Sequence, residues 1–118
     1  MRVIRFDSQV GQTIDKFGSE GFVLSHVLHI EGEAWVRCAY LAPEGVIGEH
    51  PSVGEQLFAL VAGSGWVSGA DGKRRAIHPG EAAFWIDGEV HETRTEEGLT
   101  AIIIEGEKLN PEEVMEEA

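Results

Sequence analysis

Short apolar runs rich in Val, Ile, Phe and Trp recur along the whole chain, and glycine or other turn-forming residues separate them. Such regular alternation of strand and turn signals is typical of an all-β sandwich or barrel. The sequence contains no internal repeat and no low-complexity segment. The predicted strands span residues 3–6, 12–17, 22–30, 34–41, 46–50, 56–62, 66–68, 74–77, 82–86, 90–94 and 99–104.

The predicted strand that begins at Gln56 gives the clearest information on which side chains point inward. Alternate residues of a strand face opposite sides, so Gln56, Phe58 and Leu60 share one face. If Gln56 points inward, Phe58 and Leu60 line the interior and Glu55 faces solvent. A bulge at Gly54 would reverse this assignment, so both orientations remain open at this point.

The last two predicted elements differ in character. The strand at 99–104 is almost continuously apolar, which indicates that both of its faces are covered. Beyond it, Asn110 is suited to a helix N-cap, Pro111 to the first helical position and Glu113 to the third. These signals predict a short acidic helix over residues 110–118 that packs its few apolar side chains on the barrel.

The length of 118 residues suits one domain, spanning 1–118, in which residues 34–105 or so carry the main barrel. No apolar run approaches the ~20 residues of a membrane span. Cys38 is the single cysteine and excludes an internal disulfide. We therefore expect a cytoplasmic protein that does not associate with membranes.

The chain is strongly acidic, with 21 acidic residues against 9 basic ones and a formal net charge of −12. A nucleic-acid backbone would be repelled by this charge, so nucleic acid is excluded as an expected partner. The charge favours solubility but identifies no ligand.

The five histidines divide into two groups. His26 and His29 are three residues apart on a predicted strand, so they point to opposite faces and cannot bind one ion together. His78 precedes a Pro-Gly turn and is expected to be exposed. His50 and His91 are different because each lies within a longer pattern of spaced residues.

The pattern that ends at His91 consists of Gly80, five residues, Ile86, one residue, Gly88, two residues and His91. It resembles the second sequence motif of the cupin superfamily, a class of small β-barrels. The spacing matches throughout, and Ile86 stands where the motif has proline.

The pattern that begins at His50 resembles the first cupin motif, which reads histidine, one residue, histidine, three or four residues, glutamate, six residues and glycine. Anchored on His50, it continues through Ser52, Gln56 and Gly63. Ser52 replaces the second histidine, and Gln56 replaces the glutamate. A rival alignment makes His50 the second histidine and Glu55 the acid, but leaves one residue too many before Gly63.

The resemblance implies that His50, Gln56 and His91 meet in the barrel interior and bind a divalent transition metal such as Zn, Fe, Mn or Ni, or a small organic ligand. The usual cupin set of three histidines and a glutamate suits such metals. Here the only formal countercharge is missing, which lowers the expected affinity. The side chains expected to line the pocket are those of Ser52, Phe58, Leu60, Trp66 and Phe84.

Three functions are compatible with these residues. The first is a metal-dependent enzyme acting on a small molecule, of the dioxygenase or isomerase type. The second is a non-catalytic binding or sensing module without metal, and the third is a structural protein with no internal ligand. The resemblance also implies a homodimer.

Overall fold

The computed structural model describes all 118 residues and consists of two antiparallel sheets packed face to face. The larger sheet has six strands in the order β12-β1-β9-β6-β11-β4, and the smaller has four in the order β5-β10-β7-β8. A two-stranded ribbon of β2 and β3 stands apart. The strands are β1 Arg2–Arg5, β2 Gln12–Thr13, β3 Val23–Leu24, β4 Ala34–Leu41, β5 Val46–Pro51, β6 Glu55–Gly63, β7 Gly65–Ser68, β8 Arg75–Ile77, β9 Glu81–Trp85, β10 Val90–Arg94, β11 Leu99–Gly106 and β12 Glu116–Glu117.

The space between the two sheets is filled by a cluster of nine buried apolar side chains, called here the interior cluster. Both sheets contribute to it, so alternate residues of each strand point inward as the pleat requires. Its members are Val3, Phe58, Leu60, Val67, Ile77, Ala83, Trp85, Leu99 and Ala101.

The opposite face of the larger sheet is also covered. A second cluster, the outer cluster, consists of Ile4, Leu57, Ala59, Ala82, Phe84, Ile104, Leu109 and Met115. Partly buried side chains from residues 27–30 and from Val114 pack against it. The central strands β6, β9 and β11 are therefore apolar on both faces, which explains the continuous apolar run predicted at 99–104.

The prediction of a C-terminal helix over residues 110–118 is wrong. Pro111–Glu113 forms a single turn of 3-10 helix, and Asn110 has left-handed backbone angles with no side-chain cap. The chain then extends and pairs β12 with the free edge of β1. Burial of Leu109 and Met115 on the sheet, together with strand pairing, outweighs the local helix signals, since a short acidic helix is marginal alone.

The N-terminal region also differs from its prediction. Only Val23–Leu24 of the predicted strand 22–30 is extended in a ladder, and only Gln12–Thr13 of the segment 12–17. Residues 27–30 instead lie over the outer cluster without strand partners. These residues are apolar because they cover the sheet, not because they form a strand in it. Hydrophobic periodicity alone does not distinguish these two kinds of buried segment.

The glycine that closes the first motif ends β6. Gly63 has a φ of 83°, and a Cβ atom at this position would overlap the carbonyl oxygen of Gly98. Glycine is therefore required both by the backbone conformation and by the close approach of the next hairpin.

No helical segment in the protein is long or apolar enough to cross a membrane.

Candidate functional site

Gln56, and not Glu55, shares the inward face of β6 with Phe58 and Leu60. The Gln56 side chain is 7% exposed, and in the ladder it lies opposite Trp85 on β9 and Glu105 on β11. The carboxylate of Glu55 faces the other way and accepts a hydrogen bond from the Leu109 amide at 2.6 Å. The start of β6 has no bulge, so Gln56 keeps the inward orientation and Glu55 the outward one.

His50 and His91 are direct neighbours on β5 and β10. Their ring centroids are 4.5 Å apart and the ring planes are inclined by 54°. His91 is 2% exposed, whereas His50 is exposed at the rim of the sandwich. The two motifs therefore bring their histidines together although they lie far apart in the chain.

Each of the two imidazoles is oriented by a backbone carbonyl two residues earlier. His91 Nδ1 lies 2.9 Å from the oxygen of Glu89, and His50 Nδ1 lies 2.7 Å from the oxygen of Gly48. A carbonyl oxygen only accepts, so each Nδ1 carries a proton and donates it. When the imidazole is neutral, Nε2 then presents an unshared electron pair, as in a metal-binding histidine.

The Nε2 atom of His91 has no hydrogen-bond partner. It is the one buried side-chain nitrogen or oxygen in the protein without one. A buried polar atom without a partner costs free energy, and such atoms are uncommon in native structures. This nitrogen is therefore the buried side-chain atom that remains available to bind a ligand.

Trp85 forms the floor beneath His91. Its indole stacks on the imidazole with a centroid distance of 4.2 Å and an angle of 24°, and its Nε1 donates to the Ser68 carbonyl at 3.1 Å. Phe58 packs beside it with ring centroids 6.2 Å apart. Trp85 was not among the side chains expected to line the pocket.

Burial lowers the pKa of His91 below its ordinary value and outweighs the hydrogen bond to the Glu89 carbonyl, which raises it. The nearby His50 lowers the pKa further, while the negative charges of Glu89 and Glu105 act in the opposite direction. His91 is therefore neutral at physiological pH, the state in which imidazole binds metals.

Two of the expected pocket residues lie elsewhere. Phe84 belongs to the outer cluster, because its neighbour Trp85 occupies the inward position on β9. Trp66 is 37% exposed and alternates with the inward-facing Val67 on β7. Both corrections follow from the alternation of side chains along a strand.

Ser52 is buried in the connection between β5 and β6, where its hydroxyl donates to the Gly54 carbonyl at 2.7 Å. Its own amide donates to the Glu89 carbonyl at 2.9 Å. The carboxylate of Asp87 accepts from the Gly54 amide at 2.9 Å. These bonds join the segments that carry the two motifs and fix how His50 and His91 meet.

The protein contains no group of three or more His, Cys, Asp or Glu side chains arranged to bind a metal ion. The two imidazoles are in contact, and the buried Gln56 lies on the facing sheet, opposite the Trp85 that stacks on His91. Imidazoles sharing one ion through nitrogens at about 2.0–2.1 Å have ring centres roughly 5 Å apart. The 4.5 Å separation of His50 and His91 is close to this value.

A groove of about 770 Å³ opens beside β4 and is lined by Trp35, Arg37, Val53 and Glu105 among others. Glu105 pairs in register with Trp35 on one side and Gln56 on the other. A row of side chains therefore crosses one face of the larger sheet, from Trp35 in the groove through Glu105 and Gln56 to Trp85. Glu105 was not predicted as a site residue, because it follows a long apolar run and belongs to neither motif.

No protein-family model matches the sequence, and no curated protein matches it significantly. Solved structures do match. A cupin superfamily protein from Desulfitobacterium hafniense superimposes with a TM-score of 0.58 and 16% identity, over 74% of this chain and 79% of the other.

Two further matches have enzyme names. A predicted oxalate decarboxylase from Thermotoga maritima gives a TM-score of 0.54 and 24% identity, over 58% of this chain and 62% of that protein. The DMSP lyase DddQ from Ruegeria pomeroyi gives a TM-score of 0.57 and 18% identity, over 86% of this chain. This chain spans only 54% of that lyase.

These similarities and the two-sheet architecture define the fold. The fold is that of the small cupin structures, as the two spaced motifs predicted. At these identities the likeness concerns the fold and leaves the activity to be argued from the site.

Proposed function

We propose that the protein binds a divalent transition metal ion through His50, Gln56 and His91, and that the ion and the adjoining groove together bind a small organic molecule. The observation that carries the proposal is the buried, unpartnered Nε2 atom of His91. Its unshared electron pair is oriented by the bond from Nδ1 to the Glu89 carbonyl.

The donor set fits such an ion. Imidazole nitrogen suits Zn, Fe, Ni and Cu, and an amide oxygen is a weaker additional donor. Three protein donors leave coordination positions open for water or a ligand. The stacked Trp85 and the carbonyls of Gly48 and Glu89 restrict rotation of the imidazoles, so little entropy is lost when an ion binds.

The chemistry supplied by a bound ion would be polarisation of a ligand oxygen or activation of water. The chain itself would orient the small molecule through the groove beside β4 and exclude water on the Trp85 side. Two of the similar structures are named as a decarboxylase and a lyase, which supports retaining an enzymatic role.

The second candidate is a non-catalytic binding or sensing domain that takes a small molecule without metal. It is favoured by the absence of a third charged or imidazole ligand at the site. In this alternative, a hydrogen-bond donor of the small molecule would satisfy His91 Nε2 directly.

The metal proposal is tested by elemental analysis of the full chain purified without added metal, followed by titration of the metal-free protein with Co²⁺. We expect one equivalent to bind, with an absorption spectrum typical of nitrogen and oxygen ligands. His91→Ala should abolish binding. His29→Ala, which removes an exposed histidine, should leave it unchanged. A wild-type protein that binds no metal contradicts the proposal and favours the second candidate.

A further inference from the structure

A second cleft, of about 290 Å³, lies on the outer face of the smaller sheet, between β10 and the loop that joins β7 to β8. Side chains alternate along β10, so the His91 imidazole points into the sandwich whereas Glu92 and Arg94 point outward. Ser68 of β7 lies opposite Glu92 in register and faces the same way. The cleft and the histidine pair therefore occupy opposite faces of the same strand.

Ser68 is the buried polar side chain of this cleft. It is 9% exposed, and its hydroxyl makes no hydrogen bond within the protein. The hydroxyl oxygen stays open to the cleft, which distinguishes it from the enclosed Nε2 atom of His91. A polar group that is mostly buried has lost most of its contact with water and gains from a partner. This hydroxyl is therefore available to a ligand that enters the cleft.

Two arginines bring further unused donors. Arg94 donates from Nε to the Glu92 carboxylate at 2.6 Å, and its two terminal nitrogens make no hydrogen bond within the protein. Arg74 approaches the same carboxylate only to 4.0 Å, beyond hydrogen-bond distance. A guanidinium carries five N–H donors in a planar fork that matches a carboxylate in a bidentate way. Glu92 thus orients Arg94 without occupying its terminal donors.

The charges around the cleft balance one another. Arg74 and Arg94 line it together with the carboxylates of Glu92 and Glu49. Glu92 is paired with Arg94, whereas Glu49 is exposed and forms no ion pair. A plain anion would be attracted by the arginines but repelled by Glu49 and by the net charge of −12. A neutral molecule that carries both signs avoids this repulsion and satisfies both kinds of group.

We propose that this cleft binds a small zwitterion, a molecule that carries a carboxylate and an ammonium group as free amino acids do. The terminal nitrogens of Arg94 and Arg74 and the hydroxyl of Ser68 donate to the carboxylate. Glu49 accepts from the ammonium group. At about 290 Å³ the cleft is near the lower limit of ligand pockets, which suits a molecule of this size. The site does not depend on a metal ion at the histidine pair.

The test is an NMR titration of the ¹⁵N-labelled full chain with glycine, the smallest probe that carries both charged groups. We expect saturable shifts of the Ser68, Gly69 and Glu92 amides. Acetate and methylammonium each carry one of the two groups. Each should require at least about a 10-fold higher concentration for the same saturation, since the charged hydrogen bonds of the missing group are lost.

Charge-neutral variants test the two sides of the cleft. Arg94→Gln and Glu49→Gln should each weaken glycine binding by about 10-fold or more, because each removes a charged hydrogen-bond partner. Arg75→Gln and Glu96→Gln are the matched controls. They remove the same charges from exposed positions outside the cleft and should bind glycine like wild type.

Three outcomes would overturn the inference. A wild type without saturable shifts has no zwitterion site, and acetate that binds as tightly as glycine shows a plain anion site in which Glu49 has no role. Equal affinities of Arg94→Gln and Arg75→Gln would show that binding does not involve the cleft. Should Arg94→Gln not fold, the comparison of Arg74→Gln with Arg75→Gln decides in the same way.

Discussion

The indole of Trp85 lies against the imidazole of His91, with ring centroids 4.2 Å apart and an angle of 24° between the planes. One residue comes from the six-stranded sheet and the other from the four-stranded sheet. Their contact therefore joins the two layers at the point where the candidate site lies. Stability of the sandwich and geometry of the site depend on the same pair.

Trp85→Phe should destabilise the fold while leaving an aromatic ring under His91. The variant loses the hydrogen bond from Nε1 to the Ser68 carbonyl and leaves that carbonyl without this partner. We expect the free energy of unfolding to fall by about 1–3 kcal/mol, measured by urea denaturation. Trp66→Phe, at an exposed tryptophan, should change it by less than about 0.5 kcal/mol. Equal losses in the two variants would contradict the structural role of Trp85.

The stability of the protein should decrease as the pH falls through the range in which histidine titrates. Burial lowers the pKa of His91 in the folded state, so the unfolded chain takes up a proton first as the pH decreases. Stability is then lost from about pH 6.5, the ordinary histidine pKa, downward until the folded-state pKa is passed. Urea denaturation across this range should show that the free energy of unfolding depends less steeply on pH in His91→Gln than in wild type. The same pH dependence in both proteins would refute the lowered pKa of His91.

Glu55→Ala should loosen the C-terminal segment without affecting the metal site. The lost bond to the Leu109 amide is a charge-assisted one, worth about 1.5–3 kcal/mol. Hydrogen exchange of the Leu109 amide should accelerate, whereas Co²⁺ affinity should remain that of wild type. Loss of Co²⁺ binding in a folded Glu55→Ala variant would instead support the alignment in which Glu55 is the motif acid.

The homodimer expected from the sequence should form at β4. This strand is one of the two edge strands of the larger sheet, and it exposes Val36 and Tyr40 on its outer face. An exposed apolar edge strand is a template for antiparallel pairing with a second copy. Sedimentation should show a dimer that Val36→Lys dissociates and Phe17→Lys, at a still more exposed apolar position, does not. A monomeric wild type would contradict this prediction.

The sequence was most informative where residues act locally or recur at fixed spacing. The strand and turn pattern predicted an all-β fold, the two spaced motifs indicated the cupin type, and β4 and β10 have the predicted bounds. Alternation from Gln56 placed Phe58 and Leu60 on its face, as observed. Phe84 was misplaced because residues 82–85 are apolar on both faces, so the strand shows no alternation from which to choose between Phe84 and Trp85.

Other features depend on pairings between distant strands, which a single sequence does not reveal. Glu105 lies beside Gln56 only because β11 pairs with β6 in one particular register. The helix predicted after Asn110 failed for a related reason, since its capping signals are local but the partner of β12 is the first strand of the chain. In the C-terminal segment, long-range pairing outweighed the local signals.

The double-sided burial of the larger sheet has a consequence for how the domain can be shortened. Leu109 and Met115 are part of the wall that keeps water from Leu57, Phe84 and Ile104. Truncating the chain after β11 would expose a large apolar surface to solvent, and such surfaces promote self-association. Residues 107–118 are thus as much a part of the sandwich as its strands, and a chain that lacks them would be expected to precipitate rather than fold into a smaller domain.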